Sequence, residues 1–240
     1  MRLHELAFAC RVYGSLTGYD SSLAKLRKAT GGKVDPYNSA HQQVLFKWLN
    51  DWGCRQFSTA HHATVAAPSL VAWADQWFTK FPGDDVLLDA VDQAQVDQIG
   101  SAYGDLRRRR AGTRTLRNGS ISNVEYGPVG AAKALFALRP SLCPPWDNYT
   151  LSRLGFDGSA GSYSKYLQLV LSHLQTVATQ ASIEISELPA LVGRHESTPP
   201  KLIDEYYWVT ITNRFNPPTR EDLATWLAWA DLEPGRSASQ

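Results

Sequence analysis

Apolar side chains recur in this chain every three or four residues, a spacing that places them on one face of an α-helix. The clearest runs are Leu70, Trp73, Trp77 and Phe81; Tyr163, Tyr166, Leu167, Val170, Leu171, Leu174 and Val177; and Leu223, Trp226, Leu227 and Ala230. Each run predicts a helix with one face against a core. Strand-like alternation is brief, at 182–185, and a β-branched stretch lies at 208–212. We therefore predict an all-α, or nearly all-α, fold.

Glycine and proline divide the chain into segments. Breaks lie at Gly31-Gly32, Pro82-Gly83, Ala111-Gly112, Asn118-Gly119 and Pro199-Pro200. Helix starts before 37–52, 70–81 and 223–232 are indicated by Asp35-Pro36, Pro68-Ser69 and Thr219. We predict two helical lobes around a cleft, a flanking lobe from 1–82 and 180–233 and a middle lobe over 83–179. Residues 234–240 are small and polar and predict a flexible tail.

The cysteines limit the possible metal chemistry. Cys10, Cys54 and Cys143 are far apart and show no Cys-x-x-Cys spacing, which does not fit a zinc ribbon or an iron–sulfur cluster. We expect no metal and no cofactor. Cysteines without a disulfide framework are typical of a reducing compartment, and neither a signal-peptide core nor an apolar run of membrane length is found. We therefore expect a cytoplasmic monomer with no membrane segment.

A glycine-rich turn at Tyr126–Lys133 precedes a predicted helix. Because Gly127 and Gly130 carry no side chain, the backbone N–H groups there can approach a phosphate closely. A corner, Pro144-Pro145-Trp146-Asp147, follows and places one carboxylate at the start of the next helix. The ordinary alternatives are a helix corner without a ligand and an N-cap aspartate, which stabilises a helix by roughly 1 kcal/mol.

Taken together, residues 120–155 resemble the helix–hairpin–helix base-excision DNA glycosylase superfamily. In that family a hairpin similar to Leu-Pro-Gly-Val-Gly grips the DNA backbone, and a Pro-x-x-Asp corner carries the one essential carboxylate. Gly127-Pro128-Val129-Gly130 matches the hairpin loosely, and 144–147 matches the corner. The resemblance implies that Asp147 is catalytic and that Gly127, Val129, Gly130 and Lys133 contact DNA.

One departure from the family pattern bears on the activity. Members that also cleave the strand carry a lysine two places after the second hairpin glycine, where this chain has Ala132. Lys133 comes one residue later, which turns its side chain by about 100° around the helix. The resemblance therefore implies base removal by hydrolysis, without lyase activity. The expected substrate is a damaged or modified base. A role against modified viral DNA is a further expectation that no individual residue supports.

Aromatic residues near the corner and in the C-terminal flank are candidates for a pocket that accepts an extruded base. They are Trp146, Tyr149, Tyr206, Tyr207 and Trp208, and their alternative role is core packing. Because Asp204 and Glu205 lie beside three of these aromatics, we interpret 203–208 as a docking segment of the C-terminal flank.

Six arginines lie just before the glycine turn, with only Asp105 near them. They are Arg107, Arg108, Arg109, Arg110, Arg114 and Arg117. We predict that the first four continue a helix from Gln95 and that all six contact the phosphates of DNA, which we expect to be double-stranded. The alternative is a solvated helix end.

Three functions remain open from the sequence. The first is a monofunctional DNA glycosylase that uses Asp147. The second is a non-catalytic helix–hairpin–helix DNA-binding protein in which Asp147 only caps a helix. The third is a helical adaptor whose arginines meet an acidic protein partner.

Overall fold

The computed structural model describes residues 1–231, so the predicted tail at 234–240 lies outside the described residues. The helices are α1 Leu3–Leu16, α2 Tyr19–Ala29, α3 Ser39–Asp51, α4 Ala67–Trp77, α5 Gln93–Leu106, α6 Gly127–Leu138, α7 Asn148–Arg153, α8 Ala160–Ala181, α9 Leu188–Leu191, α10 Pro199–Tyr207 and α11 Arg220–Ala230. Two strands, β1 Arg110–Thr115 and β2 Ile121–Glu125, form one antiparallel hairpin. The prediction of a mostly helical fold is confirmed.

Two helices pack closely in the middle of the chain because α5 carries glycine where α8 crosses it. A Cβ built on Gly100 would overlap Ser164 Oγ, and one built on Gly104 would lie 2.7 Å from Ala160 Cβ. Helix α8 also buries Tyr166 and Tyr163, and the Tyr163 ring stacks on Tyr103 of α5 with ring centroids 4.2 Å apart. The hydroxyls of Tyr163 and Tyr166 fix the chain before α7, as described below.

The hairpin β1–β2 was not predicted from the sequence. α5 ends at Leu106, and Arg110 already belongs to β1, so the prediction of a helix through 107–110 is wrong. The strands turn through Arg117-Asn118-Gly119, where Gly119 has a φ of 79°. Asn-Gly is a strong hairpin signal, but these strands lack the apolar alternation that would identify them.

The element before the glycine turn is therefore a strand, β2. Tyr126 N donates to Arg109 O and Gly127 N to Arg107 O, both at 2.9 Å, which extends the pairing of the hairpin to the first residue of α6. The expected helix before the turn is therefore replaced by β2. The turn is followed by α6, as the sequence predicted.

One cluster of buried apolar side chains extends from Leu6 to Tyr207 and includes residues of both predicted lobes. The division into two lobes stays a prediction. α4 and α8 bury their apolar faces as expected. α11 does not, since it has no buried residue and leaves Trp226 and Trp229 exposed. The β-branched stretch Trp208–Thr212 forms a π-helical turn that continues α10.

Candidate active site

A cavity of about 250 Å³ lies where α6 and α7 meet segments from both ends of the chain. Its walls are Tyr13, Tyr19, Trp52, Gly53, Val129, Lys133, Asp147, Asn148, Tyr149, Asp204, Trp208 and Thr212. The residues that sequence reasoning singled out and that meet here are Val129, Lys133, Asp147, Tyr149 and Trp208. Two larger cavities, of about 590 and 490 Å³, are not lined by Asp147. The smaller cavity is therefore the candidate site.

Asp147 is the N-cap of α7 and is held by two hydrogen bonds of different origin. Its Oδ1 accepts the backbone N–H of Thr150 at 2.7 Å, the ordinary capping bond. Its Oδ2 accepts the hydroxyl of Thr212 at 2.7 Å, from the π-helical turn after α10. Helix capping accounts for the first bond only. The second fixes the carboxylate plane against the cavity, and nothing in the local sequence indicated it.

The corner before Asp147 is anchored by aromatic side chains. Tyr163 OH donates to Pro144 O at 3.0 Å, Tyr166 OH to Pro145 O at 3.0 Å and Trp146 Nε1 to Pro128 O at 3.1 Å. Because these donors are buried, the backbone that carries the carboxylate has little freedom to move. The last bond also ties the corner to the glycine turn.

Three of the aromatic residues expected in a base pocket lie elsewhere. Trp146 is fully buried in the core, among Tyr103, Tyr163 and Tyr166. Tyr206 and Tyr207 lie on α10 outside the walls of the cavity, and Tyr206 packs beside Val209. Their positions follow from helix geometry, since Asp204, Trp208 and Thr212, four residues apart, face the cavity.

The aromatic walls come mainly from the N-terminal helices. Tyr13 lies edge-on to Trp208, with ring centroids 5.3 Å apart, and Tyr19 lies 5.8 Å from Trp52. Tyr149 completes the wall from α7 and is 64% exposed. Tyr13, Tyr19 and Trp52 were missed from the sequence because no motif connects α1, α2 and α3 with the corner. Flat apolar faces around a small cavity suit a planar ring.

Lys133 projects into the same cavity, although it is one residue later than the family's lysine. Its Nζ donates to Trp52 O at 2.6 Å and lies 5.7 Å from the centroid of the Trp52 ring. The ammonium group is therefore held against the wall formed by the end of α3. The phosphate contact expected of Lys133 stays a prediction.

The glycine turn is built largely by packing. Gly127 has a φ of 68°, which favours glycine. A Cβ on Gly130 would lie 2.5 Å from Gln56 Nε2, which itself donates to Tyr126 O at 2.6 Å. The amides of Val129 and Gly130 donate to no acceptor outside α6 in residues 1–231. Gly130 is buried against Gln56 and Phe57, whereas Val129 is half-buried.

The six arginines separate into two groups. Arg107 donates to Gly158 O, and Arg109 pairs with Asp105 at 2.8 Å. These two arginines stabilise the fold. The other four, Arg108, Arg110, Arg114 and Arg117, are exposed and form no ion pair with any residue in 1–231. They form a basic surface on the hairpin and the loop before it.

A network of buried charges lies directly behind the cavity. Lys201 Nζ contacts Asp204 Oδ2 at 2.7 Å and Glu205 Oε1 at 3.8 Å. Arg194 in turn pairs with Glu205 at 2.9 Å and with Asp20 at 2.6 Å. Lys201 is 1% exposed and Glu205 is fully buried. The sequence did not indicate this network, because its members come from α2, the loop after α9 and α10.

Burial and neighbouring charges shift the pKa values in this network in opposite directions. Burial raises the pKa of Asp204, and Lys201 opposes that shift. Burial alone would lower the pKa of Lys201, but Asp204 and the other anionic neighbours raise it above its ordinary value. Lys201 is therefore charged at neutral pH and favours the ionised form of Asp204.

Comparisons with known proteins return no match to a family model, a curated protein or a solved structure. Within residues 1–231, no group of three or more His, Cys, Asp or Glu side chains is arranged to bind a metal ion. No helix in that part of the chain combines the length and apolarity needed to cross a bilayer. The geometry of the cavity is therefore the main basis for the proposed function.

Proposed function

We propose that this protein is a monofunctional DNA glycosylase that hydrolyses the N-glycosidic bond of an extruded base and leaves an abasic site. The observation that carries the proposal is the position of Asp147, held by Thr150 and Thr212 on the wall of an aromatic cavity. The cavity, at about 250 Å³, is smaller than the roughly 300–1,000 Å³ typical of drug-sized ligands, and it suits a single planar ring.

Asp147 would act on the sugar. When the N-glycosidic bond breaks, its electron pair leaves with the base and positive charge develops on the deoxyribose. A fixed carboxylate in a partly dehydrated site stabilises that charge. The same carboxylate orients the water whose oxygen bonds to the sugar carbon, and the proton released by that water is accepted by the departing base or by solvent.

Lys133 supports hydrolysis over lyase chemistry. A lyase requires an uncharged amine with a free lone pair directed at the sugar. The amine of Lys133 instead donates to Trp52 O at 2.6 Å and lies 5.7 Å from the centroid of the Trp52 ring. It would add positive charge near the DNA phosphate or the departing base and would not attack the sugar.

The hairpin and the turn would hold the DNA strand. Arg114 and Arg117 lie on the exposed hairpin, whose second strand leads directly into the first turn of α6. Val129 lies in that turn and also lines the cavity. Phosphate contacts along this path would therefore be continuous with the site of reaction.

The resemblance to helix–hairpin–helix glycosylases applies to the turn, α6 and the corner at Asp147. The element before the turn is a β-hairpin in this protein. We therefore propose the activity of that superfamily without assigning its complete fold.

The test is base release from duplex DNA that contains a panel of damaged and hypermodified bases. Abasic sites are detected by alkali cleavage, and released bases by mass analysis. Asp147→Asn keeps an N-cap and is expected to reduce release at least 100-fold with DNA binding retained. Asp92→Asn is the matched control, since Asp92 caps α5 far from the cavity and keeps its capping bond as asparagine. Full activity of Asp147→Asn would refute the proposal.

A non-catalytic DNA-binding protein is the second candidate. The capping bond from Thr150 gives Asp147 a structural role that requires no catalysis. The four exposed arginines can contact DNA whether or not a base is removed. This candidate predicts salt-sensitive binding that Asp147→Asn leaves unchanged, with no base released by the unmodified protein from any DNA of the panel.

A further inference from the structure

One oxygen of the Asp204 carboxylate is hydrogen-bonded within the protein, and the other is not. Oδ2 accepts from Lys201 Nζ at 2.7 Å. Oδ1 accepts no hydrogen bond from any donor in residues 1–231, although Asp204 lines the cavity. The Asp204 side chain is 17% exposed, so this oxygen is open to the cavity, where a ligand N–H or a water O–H can supply the missing hydrogen bond.

Lys201 cannot turn away to leave Asp204 protonated and neutral. Its Nζ lies 4.1 Å from the ring centroid of Tyr13 and 5.3 Å from that of Trp52, and the side chain is 1% exposed. Glu205, its second acidic neighbour, already accepts two hydrogen bonds from Arg194. The positive charge of Lys201 therefore keeps Asp204 ionised. An ionised carboxylate accepts hydrogen bonds and donates none.

We propose that Asp204 Oδ1 accepts an N–H from the exocyclic amino group of the base in this cavity, so that the substrates are amino-bearing bases related to adenine, cytosine or guanine. This proposal rests on the proposed function. Asp147 would face the sugar while Asp204 reads the edge of the base, which gives the two carboxylates of one cavity separate roles.

The chemistry of the other bases explains the selectivity. Thymine and uracil present a ring N–H flanked by two carbonyl oxygens, and those oxygens would meet the negative charge of Asp204. Unsubstituted purine, which has neither an amino group nor a ring N–H on its pairing edge, offers no donor at that position and would leave Oδ1 without a partner. Sites that form a buried polar contact with one substrate reject an analogue that lacks the group more strongly than a purely apolar pocket would.

The test measures binding of free bases, without DNA and without catalysis. Adenine is compared with purine, and cytosine with 2-pyrimidinone, by ligand-observed NMR titration of the full chain. We expect the amino-bearing member of each pair to bind about 10- to 100-fold more tightly, the range for a hydrogen bond to a charged group. Asp204→Asn is expected to remove this preference, whereas the control Asp92→Asn retains it.

A second variant covers the case in which Asp204→Asn fails to fold with an uncompensated lysine. The double variant Lys201→Gln with Asp204→Asn removes both charges at nearly constant volume, and it should lose the same preference. Equal affinity for adenine and purine in the unmodified protein, no binding of either base, or retention of the preference in a folded Asp204 variant would each overturn the inference.

The two proposals fail separately. A protein that binds amino-bearing bases but releases none from DNA refutes the glycosylase activity and leaves the role of Asp204 intact. A protein that releases bases with no regard to an amino group refutes the role of Asp204 alone.

Discussion

The hydroxyl of Thr212 donates to Asp147 Oδ2 at 2.7 Å, although 65 residues separate the two in sequence. The bond joins the turn after α10 to the first residue before α7. It leaves the capping bond from Thr150 to the other carboxylate oxygen undisturbed. The orientation of the candidate catalytic group therefore depends on the C-terminal part of the chain.

Thr212→Val removes this hydroxyl at nearly constant volume. Because the capping bond remains, we expect the free energy of unfolding to fall by less than about 1.5 kcal/mol. Base release should fall by about 10-fold, since Asp147 stays in place but loses its second anchor. Thr210→Val is the control, because the Thr210 hydroxyl bonds Tyr206 O within the same turn. Equal losses of activity in the two variants would contradict a specific role for Thr212.

The exposed arginines of the hairpin predict a salt-dependent contact with DNA. Replacing Arg114 and Arg117 together with glutamine removes two positive charges from a surface that makes no ion pair in residues 1–231. If each contacts one phosphate, the slope of log affinity against log salt should fall by about 2.

The control for the arginine pair is Arg220→Gln, which removes an exposed charge from α11. Binding isotherms at four salt concentrations give the slope for each protein. An unchanged slope in the double variant would place the DNA on another surface.

Local signals in the sequence were sufficient for several helices, among them α4 and α8, and for the corner at Asp147. The periodicity of 163–177 and the cap of α7 at Asp147 involve residues within one or two turns of each other. Interactions of that range depend on the order of a few side chains, and they can be recognised without the rest of the fold.

The rest of the candidate site depends on contacts between distant segments. Tyr13 and Trp208 meet edge-on although they lie near opposite ends of the chain. Asp204 was visible as an acid beside aromatics and its pair with Lys201 is a local contact within α10, but the burial of that pair depends on how α10 packs against α1. The sequence therefore indicated Asp147, Tyr149 and Trp208, but it did not indicate the walls formed by Tyr13, Tyr19 and Trp52.

The packing of α5 against α8 predicts the effect of an added methyl group. Gly104→Ala places a Cβ 2.7 Å from Ala160 Cβ, so the helices must separate. We expect a loss of about 1–3 kcal/mol in the free energy of unfolding, measured by urea denaturation. Gly161→Ala is the control on α8, because its Cβ meets nothing within 4 Å and alanine favours a helix. Equal stability of the two variants would show that the helices can separate at no cost.

Cys143 gives a prediction for alkaline pH. Burial raises the pKa of its thiol from 9.0 to about 12, and Arg139 opposes the shift only in part. Because the unfolded thiol loses its proton first, the folded state is favoured fully below about pH 9. That contribution to stability is lost as the pH rises from about 9 to 12.

The measurement for Cys143 compares the unmodified protein with Cys143→Ala at pH 8 and pH 10. The unmodified protein should lose about 1 kcal/mol more than the variant between these two values, since the variant lacks the titrating thiol. Cys143 should also resist a thiol reagent at pH 8 in the folded state. Rapid labelling of that residue, or identical pH slopes, would contradict the burial of the thiol.

The buried network around Lys201 should be far more sensitive to substitution than a surface pair. Lys201→Met leaves Asp204 and part of the charge of Glu205 without a counter-ion in the interior, and we expect a loss of about 3–5 kcal/mol. Lys33→Met breaks an exposed pair with Asp84 and should cost at most about 1 kcal/mol. Urea denaturation at pH 7 measures both. If Lys201→Met were as stable as Lys33→Met, Asp204 would have taken up a proton or found another hydrogen-bond donor. Its Oδ1 would then not belong to a fixed carboxylate anion.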